Sequence, residues 1–196
     1  MPKAAPAMDE RVALALIATI TGMMGFFESM AAVPFASTAM AADALSFVQH
    51  SISAGFALWS TAGTITRQRW TVQLQGFIMA LLGALVCVLA VRRLFLGSIP
   101  HPVAMTVIGA VALLADLSVG AIVLGQRRTL TGLTALWRLS RTDAVGNIAV
   151  IAAAILVLAT HSNIPDLVIG GAMATFFFVS GWRIAITGRL DAGRTR

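Results

Sequence analysis

Charged side chains are scarce. Only 11% of the 196 residues are Asp, Glu, Lys or Arg, against 58% that are hydrophobic. So little polar surface cannot cover a water-soluble globule of this length, which excludes a soluble domain and an aqueous catalytic cleft. Cysteine is scarcer still. Cys87 stands alone in the apolar run Leu81 to Ala90, so neither a disulfide nor a Cys-x-x-Cys metal or redox pair is available, and Cys87 reads as lipid or core packing. There is no phosphate-binding Gly-rich loop followed by Lys-Ser/Thr, and no Ser-His-Asp set on a soluble face, so nothing argues for an enzyme. The formal net charge of +6 does not point to nucleic acid, because the basic residues stand at the ends of apolar runs with no groove to present them.

Long apolar runs are what the chain does have. Six stretches each offer the roughly 20 apolar residues that about 30 Å of hydrocarbon demands: Val12 to Val33, Pro34 to Ser60, Thr71 to Ala90, Pro102 to Leu124, Leu139 to Thr160 and Ile164 to Ile186. Short connectors rich in Pro, Gly and Arg separate them. The sequence therefore predicts an all-α polytopic membrane protein, a six-transmembrane-helix bundle forming a single domain over residues 1–196 with no extramembrane domain. Ser29-Met30-Ala31-Ala32 resembles a signal-peptidase site, but Asp9 and Glu10 do not suit a basic leader, so the first run reads as a true helix. Of the 14 Lys and Arg residues only Arg92 and Arg93 fall on the side opposite the termini, which by the positive-inside rule places both termini in the cytoplasm. Trp59, Trp70, Trp137 and Trp182 all fall at that same side, as an interfacial aromatic belt requires.

Ionisable residues inside the runs are the functional signal, because charge within a span costs a few kcal/mol and marks an ion or proton path. Asp43, Ser46 and His50 recur at intervals that share one face of the second helix, and Asp143 and Asn147 form an i, i+4 pair on the fifth. Measured inward from Trp59 and Trp137, His50 and Asp143 lie about 13 Å and 9 Å deep at the helical rise, close enough to meet. A divalent ion such as zinc takes about four N, O or S ligands, and imidazole with carboxylate suits it. Local capping or pairing is the plainer reading of Asp43, interhelical hydrogen bonding that of Asn147, and a hydrogen bond or ion pair holding helices together that of Glu28 and Asp116. His101 and His161, beside or near prolines, read as solvated turn residues. Gly22 with Gly25, Gly76 with Gly83, and Gly170-Gly171 permit close helix approach.

In order and wording, the chain from about Arg11 to Gly188 resembles the cation diffusion facilitators. The resemblance is to the short six-helix cobalt-zinc-cadmium efflux-like proteins that lack a cytoplasmic metal-binding domain. It rests on Phe26-Phe27-Glu28, Ala42-Asp43-Ala44-Leu45, Leu113-Leu114-Ala115-Asp116-Leu117, Ser140-Arg141-Thr142-Asp143-Ala144-Val145-Gly146-Asn147 and Ile164-Pro165-Asp166-Leu167. The resemblance implies a ligand pair four apart on each of the second and fifth helices, at Ser46 and His50 and at Leu139 and Asp143. Ser46 and Leu139 replace the expected Asp or His, so the set is incomplete, with Asp43 and Asn147 in register to assist. The metal-ligand candidates are thus His50, Asp143, Asp43, Ser46 and Asn147. The implied activity is export of a divalent cation of the zinc, cobalt or cadmium class in exchange for protons, zinc foremost, with no cofactor beyond the transported ion. A bacterial inner membrane and a homodimer are implied as well. The alternatives are a degenerate, non-transporting paralogue acting as a membrane interaction or regulatory subunit, or a proton or other cation path through His50 and Asp143.

Overall fold

In hydrocarbon no water is present to satisfy the backbone, so each apolar run closes its own hydrogen bonds as a helix. The computed structural model describes residues 9–60, 65–125 and 133–188, with side chains at 60, 65–69 and 133–142 outside the description. Among the described residues there are six helices and no strand: α1 Glu10–Ala32, α2 Thr38–Ser60, α3 Ile65–Leu96, α4 Pro102–Gly125, α5 Leu133–Thr160 and α6 Ile164–Thr187. The chain is an all-α polytopic membrane protein. Five helices are both long and apolar enough to cross a membrane, and α2 is the exception. Asp43, Ser46, Gln49, His50, Ser51 and Ser53 dilute its apolar character, and α2 packs against α1, α3, α5 and α6, which shelter those groups from lipid.

Local chemistry sets the helix ends. Asp9 caps α1 by accepting from the Arg11 N–H at 3.0 Å, so the acid that disfavoured a signal peptide is a capping residue. The second helix starts at Thr38 rather than at Pro34, because residues 33–36 form a turn in which Ala36 takes φ 52° and the Ser37 N–H donates to the Ala32 carbonyl. Asp166 of α6 then serves the bare N-terminus of α2. Its carboxylate accepts from Ser37 Oγ at 2.6 Å, from the Thr38 N–H at 2.6 Å and from the Ala39 N–H at 3.1 Å. Ser37 Oγ accepts in turn from the Met40 N–H.

The third helix runs on to Leu96 rather than stopping at Ala90, and so carries Arg92 and Arg93 within it. Arg93 reaches back to the same turn, donating to the Ala32 carbonyl at 2.8 Å and to Thr38 Oγ1 at 3.2 Å. His101 precedes Pro102 and accepts from the Ala104 N–H, while its own N–H donates to the Phe35 carbonyl. His161 takes φ 51° just past the end of α5. Both histidines are exposed turn residues.

Buried positions recur at alternating intervals of three and four. On α1 they include Ile17, Thr21, Met24, Glu28 and Ala31, and on α2 Met40, Asp43, Phe47, His50 and Ala54. That 3.5-residue stripe is the face on which α1, α2, α4 and α5 pack together. Outward-facing Phe26, Leu81, Leu85, Val88 and Leu114 are exposed, the inverse of a soluble protein. Helices α3 and α6 pair beside the bundle at backbone contact: a Cβ built on Gly181 would lie 2.5 Å from the Ala80 nitrogen, and one on Gly83 2.7 Å from the Phe178 nitrogen. Trp59, Trp70 and Trp182 are exposed near the helix ends on the side of the termini, whereas Trp137 lies outside the described side chains.

Candidate metal centre

The polar residues on the buried stripes meet at one depth. His50 stands ten residues from the end of α2, Asp116 nine from the end of α4 and Asp143 ten from the start of α5. At the helical rise each is therefore about 14–15 Å in from the side of the termini. Apolar layers enclose the centre. Ile17, Ala54, Val119 and Val123 close it toward the termini, and a larger cluster including Met24, Met40, Phe47, Ala112 and Val150 lies toward the α1–α2 turn.

His50 Nε2 lies 3.2 Å from Asp143 Oδ2. Despite this distance Oδ2 accepts no hydrogen bond, so the two atoms stand side by side rather than donor to acceptor. Ligand bonds of 2.0–2.2 Å in a tetrahedron put neighbouring ligand atoms about 3.3–3.6 Å apart, so the observed spacing suits two atoms aimed at one ion. Asp116 supplies a third donor: one ligand atom each from His50, Asp116 and Asp143 lie within 4.8 Å of one another. Asn147 orients this set. Its Nδ2 donates to Asp116 Oδ2 at 2.6 Å and to the Asp143 carbonyl at 3.3 Å. It thus braces one acid from α4 and the turn of α5 that carries the other.

The remaining candidates are placed differently. Ser46 is buried but donates its hydroxyl to the Asp43 carbonyl at 2.8 Å. Asp43 is fully buried one to two turns nearer the α1–α2 turn, beside Glu28 and against Gly146 of α5. Leu139 lies outside the described side chains. Asp116, which sequence reasoning read as a helix-holding residue, joins the centre. Its depth from the helix end, matched to that of His50 and Asp143, was the available signal.

Seven buried side-chain atoms among the described residues lack a hydrogen-bond partner: both oxygens of Glu28, both of Asp43, His50 Nδ1, Asp143 Oδ2 and Asn147 Oδ1. All seven belong to this one region of the bundle. The other buried side-chain polar atoms of the described residues have partners, so among them unmet capacity is confined to the place where an ion would supply it.

Residues 72–191 match the cation efflux transmembrane domain. The chain belongs to the cation diffusion facilitator family. No curated protein matches it closely enough to count as a relative. Metal-cation transport through the membrane follows for this facilitator at the level of the family, and the matched residues include Asp116, Asp143 and Asn147.

Proposed function

We propose that this facilitator transports a divalent cation of the zinc, cobalt or cadmium class, held on its way by His50 Nε2, Asp143 and Asp116. The observation that carries the reading is the side-by-side placement of His50 Nε2 and Asp143 Oδ2 at 3.2 Å, with Asp116 within reach. A nitrogen and two carboxylate oxygens form a donor set suited to zinc, with a fourth position for water. Exchange for protons follows from the same atoms. Imidazole binds metal only when deprotonated, so metal and protons compete for the site and their occupancies oppose each other. The direction we propose is export from the cytoplasm across a bacterial inner membrane with both termini cytoplasmic, in keeping with Arg11 and Arg183 near the terminal side. A homodimer is what the family implies.

Metal flux into sealed proteoliposomes tests this reading, with an internal zinc indicator and a pH gradient as driving force. Zinc entry that depends on the gradient is expected, and it should vanish in His50→Ala and Asp143→Ala. The second reading, a non-transporting interaction or regulatory subunit, draws on Ser46, whose hydroxyl is committed to the Asp43 carbonyl. A parent protein that binds no metal and passes none would favour it.

A further inference from the structure

Two carboxyl groups stand apart from the three-ligand centre. Glu28 on α1 and Asp43 on α2 are both 0% exposed. Their carboxyl groups face each other within hydrogen-bonding distance, and apart from each other they have no hydrogen-bond partner among the described residues. Two carboxyl groups side by side in an apolar interior cannot both stay charged and bare, so either a shared proton or a cation belongs between them. The one ion-pair contact among the described residues is that of His50 with Asp143, and none reaches Glu28 or Asp43.

The pair lies on the path along the bundle. Glu28 falls between Met24 and Ala31 on its buried stripe, and Asp43 between Met40 and Phe47, so both interrupt the apolar layer between the His50 centre and the α1–α2 turn. Along α2, Asp43 is seven residues from His50, about 10 Å at the helical rise. Across the bundle it is nearer. A Cβ built on Gly146 would lie 3.4 Å from Asp43 Oδ1, and Gly146 is one turn of α5 beyond Asp143.

We propose that Glu28 and Asp43 form a second position for the transported divalent cation, one to two helical turns from the His50, Asp116 and Asp143 centre toward the α1–α2 turn. This rests on the transport reading above. The second position offers oxygen donors alone, a harder set than the first, and the ion there completes its coordination with water. Two positions in series let an ion leave one as the next enters the other, which keeps binding from becoming a trap. No third side chain of the described residues donates to Glu28 or Asp43, so an ion that displaces the proton between them finds their remaining lone pairs free.

Cobalt titration of the purified full chain in lipid nanodiscs tests the proposal, because the visible absorption of Co2+ reports its coordination. The parent is expected to bind two Co2+ per chain by equilibrium dialysis. One should give the intense bands of a tetrahedral nitrogen and oxygen site, and the other the weak bands of a six-coordinate oxygen site. Glu28→Gln should bind one and keep the intense bands, which also reports an intact bundle. Asp143→Ala should lose the intense bands. Glu28→Asp, which preserves the charge on a shorter arm, should keep both ions with the second weakened about tenfold. A parent that binds one ion, or a Glu28→Gln variant that still binds two, overturns the second position and leaves transport standing. If the lost ion does not return in Glu28→Asp, the second position is also overturned. A parent that binds none, or an Asp143→Ala variant that keeps the intense bands, overturns the transport site itself.

Discussion

Asp166 ties α6 to the first turn of α2, and its removal has a calculable cost. The carboxylate receives one hydroxyl and two backbone N–H groups at 2.6, 2.6 and 3.1 Å, and the aspartate is 1% exposed. Hydrogen bonds to a charged group contribute about 1.5–3 kcal/mol each, but the Ser37 hydroxyl is free to turn to another acceptor, so Asp166→Ala should cost about 4 kcal/mol. Asp166→Asn keeps one acceptor oxygen while its amide confronts the N–H groups, and should cost about half of that. For a chain of 196 residues each kcal/mol corresponds to about 2–4 °C, so the melting temperature should fall by on the order of 10 °C in the alanine variant. Cys87, the lone and half-buried free thiol, provides the readout through a fluorogenic maleimide that reacts as the bundle opens. Cobalt binding well below the transition should persist, because Asp43 and His50 lie more than a turn beyond the capped residues. If both variants melt within about 2 °C of the parent, the cap is not what anchors α2, and the account of its late start fails.

Four further outcomes follow from the same geometry. His50→Ala and Asp143→Ala should each abolish proteoliposome zinc flux without loss of monodisperse protein. In the parent, apparent zinc affinity should fall as pH drops through the range in which imidazole takes up a proton, a slope that zinc titrations at several pH values would measure. Asn147→Ala should leave the ligands in place but unbraced, weakening zinc binding by about 10–100-fold in competition with a chelating dye; unchanged affinity would show that Asn147 only packs. Gly181→Ala drives a methyl group toward the Ala80 nitrogen at 2.5 Å and should cost about 1–3 kcal/mol in the same thiol melt. Gly171→Ala, with nothing within 4 Å, should be silent.

Composition and apolar run length determine the class of this protein by themselves, because hydrocarbon leaves the backbone no option but to satisfy its own hydrogen bonds. Helical periodicity, a local property, likewise placed Asp43, Ser46 and His50 on one buried face of α2, and Asp143 with Asn147 on α5. Depth counted from the tryptophan belt brought His50 and Asp143 close enough to meet, and the structure sets them 3.2 Å apart. Tertiary packing decided the rest. Asp116 sits 31 residues from Asn147 in sequence, and only the pairing of α4 with α5 makes it their common partner. Asp166 read as the punctuation of α6, yet its bonds go to α2 across more than 120 residues. The start of α2 moved with it, since a helix begins where its first N–H groups find acceptors and here the acceptor comes from another helix. The same holds for Glu28 and Asp43. A sequence states which face of its own helix a side chain occupies, but which residue stands opposite depends on the rotation and crossing of two helices, fixed only when the whole bundle packs.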